Sequence, residues 1–246
     1  MNQNLYDLSI FQDFKFEYPP VVVSYLNKIP DNTPGLEKPA TLCEMLKSAF
    51  NGQKLFAGVE NHSCEAATYI LGQSKIKKPF LEGDFGAGLG VFKDKQAASR
   101  IYQYIPRIAS DTFKYVSLAP FNLADRDPDI LIILANPSQT EIILRARSYN
   151  TGEMWQSRYS SVIGCSWLFV YPFLNGEINF ISTGLGFGMR RRKLFQEGLT
   201  FISIPFNKLP TLCRTLREMP WVPPPYQADG AQYVKALITK LGLDNT

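Results

Sequence analysis

The chain has 246 residues but only one histidine and four cysteines, and no two cysteines form a C-x-x-C pair. Thiols this few and this scattered exclude a small disulfide-stapled scaffold. With His62 alone, a histidine-rich metal site is excluded, and any Ser–His–Asp or Cys–His arrangement must pass through that one ring. Long apolar runs are also missing. The longest, Ile163 to Leu174, falls well short of the roughly 20 residues that span a bilayer. Charge of one sign is in little excess: 26 basic against 22 acidic residues leave +4. With no basic helix and no reading motif, that balance argues against nucleic acid as a partner. Residues 1–19 carry Asp7, Asp13 and Glu17 without a long apolar stretch, which predicts no secretory signal and a cytoplasmic protein.

What is present is core-forming material. Hydrophobic residues make up 45% of the chain and aromatics 13%, which excludes disorder and supports a sizeable core. Period and punctuation predict strands near 20–26, 54–60, 114–119, 129–135, 178–183 and 199–204. Helices are expected near 42–51, 63–72, 94–104, 138–150 and 208–218. Pro172 prevents a long regular helix through the apolar segment 162–174. The irregular alternation predicts an α+β fold, with mixed α/β as the alternative.

The order of motifs suggests a degenerate tandem repeat, with matching features roughly one hundred residues apart. The expected pairs are two capping boxes, Thr41 with Glu44 and Ser138 with Glu141, then Cys64 with Cys165. Gly88–Gly90 with Gly184–Gly186 and Ile105-Pro106 with Ile204-Pro205 follow in the same order. On this reading residues 1–219 are one domain of two pseudo-symmetric halves, about 19–120 and 121–219. A Pro-rich connector and final helix occupy 220–246. Val234, Leu237, Ile238 and Leu241 form a stripe expected to dock on the body or on a second subunit, as in a homo-oligomer.

Cys43, Cys64 and Cys165 fall at expected helix starts, where unpaired amides favour an anion and so a thiolate. With His62 they offer up to four soft or borderline ligands, enough for zinc or part of an iron–sulfur centre. Cys213 fits core packing. Arg190 follows the glycines Gly184, Gly186 and Gly188, a combination able to receive a small anionic ligand in a cleft between the halves. Neither this glycine stretch nor Gly83–Gly90 has dinucleotide-loop spacing, and turns or bulges in the two half-sheets explain both. No carboxylate pair or triad stands out, so redox or thiol chemistry fits better than hydrolysis. The alternative is a non-enzymatic binding or scaffold protein with structural cysteines.

An ordered set of residues resembles a known family. It runs from Pro20-Val21-Val22-Val23 through Leu42-Cys43-Glu44, Gly52, Glu60, Cys64 and Leu71-Gly72 to Leu118-Ala119-Pro120. Pro128-Asp129, Pro137-Ser138-Gln139, Tyr149-Asn150-Thr151-Gly152, Cys165, Gly188-Met189-Arg190 and Ile204-Pro205 complete it. The set resembles domain-of-unknown-function family 169, encountered in archaea and many anaerobic bacteria, over roughly residues 5 to 220. The resemblance implies no catalytic assignment. It lends weight to Cys43, Cys64, Cys165 and Arg190, and an anaerobic setting would suit an oxygen-sensitive thiolate or iron–sulfur site.

Overall fold

The unbroken apolar run Ile130–Ala135 forms a strand buried on both faces, and the rest of the protein is layered around it. The computed structural model describes residues 8–31 and 33–243. Its strands are β1 (Val21–Leu26), β2 (Leu55–Ala57), β3 (Tyr115–Pro120), β4 (Ile130–Ala135), β5 (Asn179–Ser182) and β6 (Thr200–Pro205). They make one sheet in the order β2-β3-β1-β4-β6-β5, antiparallel at every step. Each overlaps one of the six segments expected from the sequence. The fold is α+β.

Side-chain alternation sends Val21, Val23, Ile130, Ile132 and Phe201 to one face, and Val22, Leu131, Ile133, Ile202 and Ile204 to the other. The first face is covered by α1 (Leu42–Phe50) and α2 (Glu65–Ile70). Helix α1 buries Leu42, Met45, Leu46, Ala49 and Phe50, one stripe at helical spacing. Its start is the expected capping box: the Thr41 hydroxyl accepts from the Glu44 N–H at 3.2 Å, and the Glu44 carboxylate accepts from the Thr41 N–H at 2.8 Å. Three short helices, α3 (Lys78–Leu81), α4 (Asp84–Gly88) and α5 (Lys95–Arg100), form an excursion on this side. An Asp84–Lys95 ion pair ties α4 to α5. The opposite face carries α6 (Pro137–Ser148) and α9 (Leu209–Glu218), together with the N-terminal turn Ser9–Gln12. Cys213 is buried in that second core beside Leu209, Leu212 and Leu216, as expected.

Segment 162–174 resolves into a π-helical turn, Ser166–Val170, that runs into α7 (Tyr171–Asn175). Pro172 has no N–H to give, so carbonyls one turn earlier need other donors. Asn179 Nδ2 supplies Trp167 O at 2.8 Å, Ser203 Oγ supplies Leu168 O at 2.5 Å, and the Tyr25 hydroxyl supplies Phe169 O at 2.6 Å. Strands β5, β6 and β1 thereby pin the turn that follows Cys165.

Strands of residues 19–120 lie on one side of the sheet and those of 121–219 on the other, with connections mirrored about the β1–β4 pair. The helices do not follow this symmetry, since α1 and α6 lie on opposite faces. Two of the motif pairs read from the sequence do not match either. Ile105-Pro106 is outside the sheet, whereas Ile204-Pro205 ends β6. The corresponding strand ends are Pro120-Phe121-Asn122 and Pro205-Phe206-Asn207, each opening a 3-10 turn. The second capping box is Asn136 with Gln139, not Ser138 with Glu141, because Pro137 suits the first helical position and starts α6 earlier. Glu141 instead pairs with Arg145 at 2.7 Å.

The glycine stretches are not bulges in half-sheets. Gly83, with φ at +85°, turns the chain between α3 and α4, and Asp84–Gly88 is itself helical. Gly184, also at φ +85°, makes the tight turn that leaves β5, and α8 (Phe187–Arg191) follows. Past Met219, Trp221 is held to the body. Its indole N–H donates to Leu216 O at 2.7 Å, its ring lies 4.3 Å from that of Phe14, and Arg145 donates to Pro220 O and Trp221 O. The last helix, α10 (Gly230–Lys240), leaves Val234, Leu237, Ile238 and Leu241 exposed and does not dock on the body of its own chain.

Candidate functional site

Three of the four cysteines reach one cavity. It measures about 490 Å³, a size that suits a small organic molecule, and Cys43, Cys64 and Cys165 all line it. Cys43 occupies the second position of α1, Cys64 the residue before α2, and Cys165 the residue before the π-helical turn. The excursion α3–α5 forms the apolar wall through Phe80, Phe85, Leu89, Phe92, Ile101 and Tyr102. Phe85 and Leu89 are 49% and 40% exposed, which places them at the mouth.

Cys43 and Cys165 are direct neighbours. Contact with the buried Cys165 thiol is the largest influence on Cys43 and lowers its pKa. Arg192 adds to that lowering, while burial and Glu44 oppose it. The same contact, burial, and the nearby sulfurs of Cys43 and Cys64 push Cys165 well up. Of the pair, Cys43 gives up its proton the more readily. Arg192 is held by Gly188 O at 3.2 Å and by Glu44 at 3.7 Å, so the α1 capping box and the cation beside Cys43 are one connected arrangement.

Tyr159 completes the polar end. Burial raises its pKa first, then the proximity of Cys165 and Cys43. A Cβ at Gly164 would meet its hydroxyl at 2.6 Å, and one at Gly186 would collide with the same oxygen, so both glycines are small because Tyr159 lies between them. Tyr102, on the opposite wall, is pushed up to about 12 by burial and by Tyr69 and Glu65.

The residues singled out from the sequence therefore divide. Cys43, Cys64, Cys165, Gly186 and Gly188 come together at this cavity. Arg190 and Gly184 do not. They line a separate cavity of about 210 Å³, and Arg190 faces Glu197 at 3.4 Å on the surface. Its neighbours Arg191 and Arg192 reach the thiol cavity instead, because one step along a helix turns a side chain by about 100°. His62 lies off the cavity, its two ring nitrogens buried without a hydrogen-bond partner among the described residues, and burial pulls its pKa down to about 4. Among the described residues no three His, Cys, Asp or Glu side chains are grouped to hold a metal. The zinc and iron–sulfur expectation does not fit this donor arrangement, in which two sulfurs pair with each other.

The α3–α5 wall was missed from the sequence in its phenylalanines, Phe80, Phe85 and Phe92. Its helices are four to six residues long, too short for periodicity to register.

Among the described residues, no helix is long and apolar enough to cross a membrane. The family model described as "Uncharacterised ArCR" (DUF169) matches residues 9–215. A protein of Methanocaldococcus jannaschii, itself named only as uncharacterized, is 28% identical over 137 residues. The aligned stretch covers 55% of this chain and 58% of that protein's length. No solved structure matches the chain.

Proposed function

The chain belongs to the DUF169 family, whose name assigns no activity, and from the cavity itself we propose that it binds a small organic anion with an aromatic or otherwise apolar body. The observation that carries this reading is the polarity of one cavity. Aromatic side chains line the α3–α5 wall, while Arg191, Arg192, the Tyr159 hydroxyl and three thiols stand elsewhere on its lining. Such a lining removes an apolar body from water and leaves a carboxylate or phosphate to the guanidinium groups. Arg191 has no ion-pair partner among the described residues, so it is available to an incoming anion. The four cysteines are not disulfide-bonded, which suits a reducing, cytoplasmic setting.

Calorimetric titration with a panel of aromatic carboxylates, organic acids and nucleotides tests the proposal. The aromatic anions should bind best, and a double variant with both Arg191 and Arg192 changed to Gln should lose affinity by at least about tenfold. Arg190→Gln should bind normally, because that side chain faces the other cavity. Binding by none of the panel, or equal losses in Arg190→Gln and the double variant, would overturn the reading.

A further inference from the structure

Cys43 and Cys165 are neighbours on the lining of this cavity, the first partly open to it and the second buried. We infer that they form a dithiol that exchanges with small organic disulfides entering the cavity, Cys43 attacking and Cys165 resolving. This activity rests on the cavity admitting small molecules, as proposed above.

Accessibility sets the order of events. An attacking sulfur has to reach the incoming disulfide, and a resolving sulfur has only to reach the attacker. Cys43 has the cavity on one side and Arg192 nearby, a cation that favours its thiolate. Cys165, buried beside Cys43, holds its proton the more tightly of the two. Cys64 lines the same cavity but acts on Cys165 less than Cys43 does, and Cys213 is sealed in the core on the other face of the sheet.

The exchange balances without a further reactant. The Cys43 thiolate attacks one sulfur of R–S–S–R, the S–S bond breaks, and R–S⁻ leaves. Cys165 then attacks the Cys43 sulfur, releases the second R–S group and gives up its proton. The products are a Cys43–Cys165 disulfide, one thiolate and one thiol: the protein dithiol is oxidised by two electrons and the small disulfide is reduced. A dithiol reductant returns the protein by the reverse exchange.

The probe is dithiobis-nitrobenzoate, an aromatic disulfide with a carboxylate on each ring. Its coloured thiolate counts the exchange, and mass spectrometry with peptide mapping identifies the products. The folded wild-type protein should release two aryl thiolates rapidly, lose two hydrogens and yield a peptide linking Cys43 to Cys165. Cys165→Ala should release one and retain an aryl adduct on Cys43, and Cys43→Ser should lose the rapid phase. A lasting adduct in the wild type, a link through Cys64, or two thiolates released by Cys165→Ala would overturn the inference. The wild-type mass alone decides the matter should a variant misfold. Nitrobenzoate, which has no disulfide, reports separately on binding. If it binds while the exchange fails, the binding proposal stands and the dithiol proposal falls.

Discussion

At Gly186 a single methyl group tests how the polar end of the cavity is built. The backbone φ there is −81°, an ordinary value, so alanine meets no conformational penalty. The added Cβ would instead collide with the Tyr159 hydroxyl, while the next nearest atom, Tyr159 Cζ, lies at 3.5 Å. Overpacking of this kind costs about 1–3 kcal/mol. A chain of this length loses about 2–4 °C of melting temperature per kcal/mol, so Gly186→Ala should melt roughly 2–12 °C lower. Tyr159→Phe deletes the colliding oxygen and leaves ordinary contact, so the double variant should recover at least about 1 kcal/mol. Gly164 is the control. A Cβ there meets not only the hydroxyl at 2.6 Å but also ring carbons at 3.0 and 3.1 Å, which phenylalanine retains. Tyr159→Phe should therefore rescue Gly164→Ala far less. Scanning calorimetry of the single and double variants measures both rescues. Equal rescue at the two glycines, or none at Gly186, would refute the placement of Tyr159 between them.

Three further outcomes follow from particular residues. The folded pKa of His62, about 4, lies below its ordinary 6.5, so above pH 6.5 both states are neutral and the ring contributes no pH dependence. As pH falls toward 4 the unfolded chain binds the proton first and up to about 3 kcal/mol is lost. His62→Leu should flatten that part of the acid limb in urea melts, and an unchanged slope would show that the ring is hydrated. Thr41→Ala removes the capping oxygen that the Glu44 N–H uses, and should cost about 1 kcal/mol in thermal melts. Truncation after Gln227 should leave the melting temperature within a few degrees, since α10 does not pack on the body. Truncation after Met219 should cost roughly 3 kcal/mol or more, because it strips Trp221 from Phe14 and Arg145; equal melting losses for the two truncations would refute this division.

The local structure was legible because it is local. Alternation and apolar runs marked all six strands, a hydroxyl and a Glu three residues apart marked the start of α1, and a stripe at helical spacing put Cys213 in a core. Which cysteines meet, which arginine faces the cavity and what the glycines make room for depend on contacts between segments far apart in the chain. Local period carries no information about those contacts. Cys165 was expected to answer Cys64, yet its foremost partner is Cys43, since α1 and the π turn pack into the same core on one sheet face. Sequence alone thus determined the elements and the residue types able to do chemistry. The packing of α1, the π turn and the α3–α5 wall on one sheet face decided which of them share a cavity.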